Sequence, residues 1–546
     1  MLSYASGPAR RPLLGHTIGS WFEVIAHRFG PREALIDCVA GRRWTYAELA
    51  AAVDVVAAGL LARNVGLGDR VGLLSPSRGE WMVVQLAVAR IGAVLVPLNP
   101  AYRHHELEYV LNHAGVRALI ATTAFKTSDY VAMIDGLRLS VRLVEFVDYF
   151  ELDCWQALLD DGRALLADSP DCIRKALHQI DLDAPMYIQY TSGTTGFPKG
   201  AVLSHHSVLN NGHNVVSLLG FGEEDRLCLP VPMFHNFGMI MGNLGSMSVG
   251  AAVVIPSPSF DPGQTLTAIG AERCTSVWGV PTMFIALLAH ETIDSVDLSA
   301  LRTGIMAGSP CPAAVMEQTM TRMGIDNVAI CYGQTETSAI SVQTRATDSF
   351  DQRISTVGQV HPHVEVKIID PASGQIMPRG APGEFCTRGY SVMRCYWNDS
   401  AKTAEAIDPD GWMHSGDLAV MDDRGYVAIT GRIKDMVIRG GENVYPREIE
   451  EVLYKHPAVL DAQVIGVPDE KYGEELMAWV RVKPTVSTIE ADELRVFCRE
   501  RLAHFKVPRY VHFVDEFPMT ANGKVRKNAM REHAIDLLAQ GRPVAG

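Results

Sequence analysis

Met186-Tyr-Ile-Gln-Tyr190-Thr-Ser-Gly-Thr-Thr-Gly-Phe-Pro-Lys-Gly200 is the stretch on which the reading of this chain turns. A strand-like run, residues 186–189, empties into a loop crowded with hydroxyls and glycines. Backbone N–H groups and side-chain O–H groups at this density can wrap phosphate oxygens, and Lys199 adds a point charge. Thr191, Ser192, Gly193, Thr194, Thr195, Gly196 and Lys199 are therefore candidate phosphate ligands. The loop is not a P-loop, which needs G-x-x-x-x-G-K-[ST]; here Pro198 precedes the lysine and Gly200 follows it. Taken alone, the composition would also suit a flexible Ser/Thr/Gly turn, so its meaning depends on the surrounding chain.

Upstream, Thr45-Tyr-Ala-Glu48 reads as a capping box that opens a helix running to Arg63. Residues 71–75 read as a buried strand, 80–91 as a helix and 93–97 as a strand. Strand–helix–strand at this spacing predicts βαβ units and parallel sheets. The alternation returns at 202–219, 251–255 and 269–290. From about residue 355 the texture changes, with short strands at 364–369, 383–387 and 425–430 between Pro/Gly turns, which suggests a small β-rich unit. Past Gly431 a compact α+β piece begins. Pro446 opens a helix with Glu448, Glu450 and Glu451 in its first turns, where carboxylates suit the dipole, and His456-Pro457 ends it. A strand at 462–467, a helix at 491–502 and a strand at 510–514 follow. The fold class expected is α/β: a large N-terminal lobe of βαβ-type sheets with a small β-rich subdomain, residues 1–432, and a small α+β domain, 433–546, divided at Arg432–Lys434.

Composition narrows the function. At 546 residues the chain holds roughly three to four domain-sized units. With 47% hydrophobic and 20% charged residues it is globular, and a net charge of −13 disfavours nucleic-acid binding. Residues 433–546 carry 17 basic and 18 acidic residues, so nearly all of the negative excess lies before them. Ten scattered cysteines with no C-x-x-C point to a reducing compartment, with neither a disulfide framework nor a zinc site. Arg10 and Arg11 are followed by no apolar stretch, so no signal peptide is expected, and no apolar run of about 18 residues appears. A cytoplasmic protein without a transmembrane segment is the expectation. There is no G-x-S-x-G for a serine hydrolase, and Gly66-x-Gly68 has Val71 where a dinucleotide fold needs its third glycine.

Further blocks follow the loop in order. Ala307-Gly-Ser-Pro310 is a tight small-residue turn. Tyr332-Gly-Gln-Thr-Glu-Thr337 offers an aromatic face, a hydroxyl and a carboxylate. Trp412-Met-His-Ser-Gly-Asp417 ends a turn on an acid, Gly431-Arg-Ile-Lys-Asp435 leads to Arg439-Gly-Gly-Glu-Asn443, and Thr520-Ala-Asn-Gly-Lys-Val-Arg526 carries Lys524 on a glycine-hinged loop. In isolation Asp417 and Arg432 would read as a surface pair, Glu336 as a helix-start acid and Lys524 as one of 49 basic residues. The order of the blocks changes that reading.

Together they resemble the adenylate-forming superfamily of acyl-CoA synthetases, peptide-synthetase adenylation domains and beetle luciferases. Pro362-His-Val-Glu-Val-Lys-Ile368 and Ile438-Arg-Gly-Gly-Glu-Asn-Val-Tyr-Pro-Arg-Glu-Ile-Glu450 look most like medium-chain fatty-acyl-CoA ligases. The resemblance implies an ATP- and Mg²⁺-dependent ligase that makes an acyl adenylate from a small-molecule carboxylic acid, releases pyrophosphate, and passes the acyl group to coenzyme A. It implies that Thr191 to Lys199 hold the β- and γ-phosphates, that Thr335 meets the α-phosphate, and that Glu336 binds the metal. Tyr332 would stack on adenine with Gly308, Ser309 and Pro310 along its other side, within an AMP site that also takes in Gly333 and Gln334. Asp417 would accept from the ribose hydroxyls, Arg432 would donate to them, and Lys524 would bridge the carboxylate and the α-phosphate. The C-terminal domain would be mobile about Lys434, bringing Arg439, Gly440 and Gly441 to the thiol's path. His235 sits where the family keeps an aromatic gate to the carboxylate; with Asn236, Trp278, Gly279, residues 242–245, Gln334 and Ala339 it would line the acyl pocket.

The chain departs from that branch at Arg394-Cys395, where an apolar residue and a glycine are usual, at Ser415 for threonine, and at Gln334 and Ala339 for methionine and proline. No acid in the His235 block would pair with an α-ammonium, which favours an acid lacking one. A carrier-protein thiol or an amine stays open as the acceptor, and so does the oligomeric state, a homodimer included.

Overall fold

The computed structural model describes every residue except 139, 142–143, 192–197, 310, 441, 485, 487–488, 520–524 and 540–546, and the backbone alone of Asn443. The chain forms two compact units. Ala5–Val366 with Thr387–His414 make the larger, and Met1–Tyr4, Lys367–Cys386 and Ser415–Gly546 the smaller. Residues 415–432 thus belong with the C-terminal region, whose α+β part begins after Arg432.

The larger unit is built on two seven-stranded sheets. In one, Val94–Leu98, Arg70–Leu74, Val116–Ala121 and Phe146–Tyr149 run parallel, and Pro185–Thr191 continues that order. Val94–Leu98 is buried throughout, as an all-apolar strand covered on both faces must be. The expected capping box is present: Thr45 Oγ1 accepts from Glu48 N at 3.2 Å and starts the helix Tyr46–Ala62. The second sheet orders Asn327–Ala329, Thr303–Met306, Ser276–Gly279, Arg226–Cys228, Ala252–Ile255 and Glu33–Asp37 in parallel, closed by the antiparallel Arg42–Thr45.

Two features depart from a plain βαβ reading. Lys199–Ser204 pairs antiparallel with Pro185–Thr191, because the short phosphate loop leaves no room for a crossover. Phe237–Leu244 is a π-helix, a form often found at functional sites. It packs against the helix His205–Leu219 with no side chain between the backbones: a Cβ on Gly212 would stand 2.6 Å from the Ile240 carbonyl, and one on Gly245 would stand 2.9 Å from the Gly212 carbonyl.

In the smaller unit, Met413–Met421 pairs antiparallel with Val427–Arg432. Beyond them Glu442–Val444, Val437–Arg439, Gly473–Val482 and Val459–Asp469 form a sheet, to which Tyr510–Phe513 adds in parallel. Pro446 takes the first position of the helix Pro446–Tyr454, as expected. The strand Gly473–Val482 was not anticipated, although its apolar centre serves two cores: Leu476, Ala478 and Val480 pack with Ile449, Leu453, Val464 and Leu494, and Met477 and Trp479 pack on the other face with Ile465, Val467 and Met530. Among the described residues no helix is long and apolar enough to cross a membrane, and none of the ten cysteines forms a disulfide.

Gly212→Ala would force a methyl group into the backbone contact beneath the π-helix, an overpacking that costs about 1–3 kcal/mol. Thermal unfolding should show a clear loss for Gly212→Ala and little change for Gly222→Ala, where an added Cβ meets nothing within 4 Å.

Candidate active site

In the larger unit the antiparallel hairpin sets Thr191 opposite Lys199, and Thr191 Oγ1 donates to the Lys199 carbonyl at 3.5 Å. The ends of the phosphate loop are thereby fixed; Ser192, Gly193, Thr194, Thr195 and Gly196 lie outside the described residues. The Lys199 ammonium stands 4.5 Å over the ring of Tyr396. The hydroxyl of the same ring donates to Glu336 Oε1 at 2.7 Å, while Met393 N donates to the Glu336 carbonyl, also at 2.7 Å. Burial, and after it the Glu336 carboxylate, push the Tyr396 phenol far above its ordinary range, so it remains a donor. Lys199 and Glu336, named from sequence, are thus joined through a residue that was not. Tyr396 follows directly on Arg394-Cys395, and nothing in its local sequence singles it out.

Tyr332, Gly333, Gln334, Thr335 and Glu336 share one tightly folded turn. Tyr332 ends the short strand Cys331–Tyr332, and Thr335–Thr337 is a single 3₁₀ turn. Gln334 N donates to Thr337 Oγ1 at 3.0 Å, and Ala339 N donates to the Gln334 carbonyl at 3.2 Å. The turn folds back so closely that a Cβ on Gly333 would lie 2.0 Å from the Ala339 carbonyl. Closure puts Ser338 and Ala339 at φ +56° and +103°, a region side chains avoid. Asn211 on the helix His205–Leu219 clamps the exit, exchanging bonds of 2.7 and 3.1 Å with the Ile340 backbone. Gly308 adopts φ +91° with Ser309 exposed beside it; Pro310 lies outside the described residues.

On the acid side, Phe237 N donates to His235 Nδ1 at 3.2 Å, which leaves the proton of the neutral ring on Nε2. Phe237 stacks on the fully buried Trp278 with centroids 6.3 Å apart, and Trp278 Nε1 donates to Ser276 Oγ at 2.9 Å. Gly279 packs on Met283, and Ala339 belongs to the same apolar core as Phe234, Phe237 and Trp278. Gln334 is half-buried. Asn236 is only 3% exposed, yet neither atom of its amide has a hydrogen-bond partner. Arg394, one of the departures, donates to the Asp183 carbonyl at 2.5 Å.

In the smaller unit Asp417 and Arg432 are direct cross-strand partners, with Arg432 Nε 3.1 Å from Asp417 Oδ1. The Asp417 carboxylate is 6% exposed against 48% for Arg432, so the pair presents its cation outward. Ser415 Oγ accepts from Asp417 N at 3.0 Å and donates to the Phe385 carbonyl at 2.6 Å, work any β-hydroxyl can do, which accounts for the exchange with threonine. Lys434 lies exposed in the 3₁₀ turn Ile433–Asp435. Arg439 makes a two-pronged pair with the fully buried Glu475 at 2.5 and 2.8 Å and lies against Tyr472. Gly440, exposed at φ +60°, donates its N–H to the Tyr472 carbonyl at 2.8 Å. Gly441 and Lys524 lie outside the described residues; the chain on either side of Lys524 is bridged between Met519 and Val525.

A hydroxyl- and glycine-rich sequence closed by a lysine, with a carboxylate tied to that lysine through Tyr396, suits an enzyme that uses a nucleotide, and comparison with known proteins gives the class. The chain belongs to the AMP-binding enzyme family, which matches residues 22–397, and the C-terminal domain of AMP-binding enzymes matches 448–524. Over 96% of its length it is 45% identical to YngI of Bacillus subtilis (strain 168), named for an acyl-CoA synthetase, covering 98% of that protein. It is 40% identical, over 97% of this chain and 90% of the other, to the mitochondrial medium-chain acyl-CoA ligase ACSF2 of Danio rerio. The anthranilate CoA ligase AuaEII, solved with anthranoyl-AMP, superposes with a TM-score of 0.86 at 27% identity, covering 97% of this chain and 99% of that one. The activity these findings carry is ATP-dependent ligation of an acid to coenzyme A through an acyl adenylate.

The strained turn offers a structural test. Ala339→Gly should relieve a left-handed alanine and raise stability by about 0.5–1 kcal/mol. Ala339→Pro should lower it sharply, since the ring fixes φ near −65° and removes the N–H that bonds Gln334. Thermal unfolding of the two variants reads both signs.

Proposed function

We propose that this AMP-forming acyl-CoA synthetase activates a medium-chain fatty or related acid. The observation that carries the reading is full-length similarity, at 40% identity, to a medium-chain acyl-CoA ligase. In the first half-reaction a carboxylate oxygen attacks the α-phosphorus of ATP, and pyrophosphate leaves. In the second, the CoA thiol attacks the carbonyl of the mixed anhydride, a thioester forms, and AMP leaves. Both transition states gather charge on oxygen, so the protein's work is positioning and electrostatic stabilisation.

Thr191 to Lys199 cradle the β- and γ-phosphates, Thr335 meets the α-phosphate, and Tyr332 with Gly308 to Pro310 brackets the adenine. Asp417 and Arg432 take the ribose hydroxyls, and Lys524 steadies the attacking carboxylate against the α-phosphate. His235 gates the acid. Glu336 suits magnesium: a carboxylate is the hard oxygen donor the ion takes, and the Tyr396 hydroxyl already fixes its orientation. Bound there, magnesium would neutralise phosphate charge. The functional division falls at Arg432–Lys434, with residues 433–546 turning about Lys434 between half-reactions. Arg439, Gly440 and Gly441 then border the thiol's path, where Gly440, lacking a Cβ, admits a pantetheine arm. Ten cysteines with no disulfide among them suit a cytoplasmic setting.

A pyrophosphate-release screen over straight-chain acids of graded length, with and without CoA, tests the reading. The expected result is a medium-chain optimum and a thioester that forms only with CoA; CoA-independent product with an amine would overturn it. Lys434→Pro should impair thioester formation far more than pyrophosphate exchange, and equal losses would refute the hinge. Lys524→Ala should cut adenylation by about 100-fold or more while supplied acyl-AMP is still converted; unchanged pyrophosphate exchange would remove Lys524 from the first step.

A further inference from the structure

Asn236 stands at the N-terminus of the π-helix without serving it. Its backbone is already helical, at φ −54° and ψ −31°, and its side chain makes no capping bond. The first N–H groups of the helix are met by His235 instead: Phe237 N donates to its Nδ1, and Gly238 N and Met239 N to its carbonyl, both at 2.9 Å. The Asn236 amide is thus left with a donor and an acceptor, both buried and both unpaired. Gln189 adds a third unmet atom. Its Nε2 donates to the Phe234 carbonyl at 3.2 Å, which fixes the amide's orientation and leaves Oε1 buried without a donor. Buried amides are normally satisfied, so three unmet atoms on two side chains that meet the 234–236 segment mark a place for a polar group.

We propose that Asn236 and Gln189 form a subsite for a hydroxyl on the acid's carbon chain, close to its carboxylate. This rests on the acid:CoA ligase reading, and in particular on His235 as the gate to the carboxylate. Position argues for the near end of the chain. Asn236 follows His235 directly, and Gln189 lies two residues before Thr191, where the strand meets the phosphate loop. The chemistry argues for a hydroxyl. The Asn236 NH₂ donates to its oxygen, and its proton goes to the carbonyl oxygen of Asn236 or Gln189. A second carboxylate or a phosphate would face two carbonyl oxygens, and a plain methylene would leave all three atoms unmet.

The test measures kcat/KM for pyrophosphate release with CoA and magnesium on octanoate and on 2-, 3- and 8-hydroxyoctanoate. The 2- or 3-hydroxy acid should exceed octanoate by about tenfold or more, whereas 8-hydroxyoctanoate should not. Asn236→Leu should erase that ratio, and Asn236→Ser, which keeps one hydroxyl, should retain part of it. Both near isomers at or below octanoate would overturn the subsite. So would an unchanged ratio in folded Asn236→Leu, because water alone would then complete the amides. Should neither variant fold, the ratio in the unmodified enzyme decides. Pyrophosphate from octanoate with no hydroxyl preference sinks only this inference, whereas no pyrophosphate from any acid sinks the ligase reading beneath it.

Discussion

The site in the larger unit depends on one phenol. Tyr396 receives the Lys199 ammonium on its face and gives its hydroxyl to Glu336, so residues separated by more than a hundred positions are held by a single ring. Each contact constrains the other. The ring face offers the ammonium a cation–π contact, and the carboxylate ahead of the hydroxyl accepts its hydrogen bond without taking the proton, because burial and that carboxylate keep the phenol protonated. Lysine and glutamate therefore keep fixed places without pairing directly, and neither charge is quenched by the other. Both remain usable for the proposed roles, one toward phosphate oxygens and one toward a hard cation.

The acid side is governed by close backbone packing instead. The helix His205–Leu219 presents Gly212 to the π-helix and Asn211 to Ile340, so one helix supports both the π-helix and the turn that bears Tyr332 to Glu336. Such contacts tolerate no added atoms, so the π-helix and that turn keep their relative places through the core. Strain at Ser338 and Ala339 has the same origin: the turn must reverse within a few residues to meet Asn211, and two non-glycine residues take left-handed or nearby conformations to do it.

Much of this was legible in the sequence. Thr45 and Glu48 announce a capping box, Pro446 a helix start, and the apolar runs at 71–75 and 93–97 a buried parallel sheet, because each signal is local and rests on backbone chemistry. The phosphate loop, the 332–337 block and the Asp417–Arg432 pair were legible as a series whose order, more than any single residue, gave the meaning. What was not legible depends on partners far along the chain. Tyr396 matters because Lys199 and Glu336 converge on it, and Arg439 turns out to be bound to Glu475, a residue no local pattern singles out. The π-helix escaped because its spacing is set by Gly212 and Gly245 across an interface. The strand Gly473–Val482 escaped because its centre, residues 475–480, is buried on both faces and lacks the alternation that reveals half-buried strands.

The two half-reactions also ask for opposite surroundings. Adenylation brings a carboxylate to a polyanion, so positive charge at the carboxylate oxygen lowers the barrier. Thioester formation brings a thiol to a neutral anhydride carbonyl, where a lysine left in place would hold the leaving phosphate yet block the approach. One rigid arrangement cannot be best for both. If the smaller unit serves the second task as proposed, it would do so through uncharged backbone: Gly440 is exposed with its N–H fixed on Tyr472, while the neighbouring Arg439 is neutralised by Glu475. On the proposed roles, a neutralised arginine beside a glycine turn would steer the thiol by shape, without competing for the phosphate assigned to Lys199 and its loop.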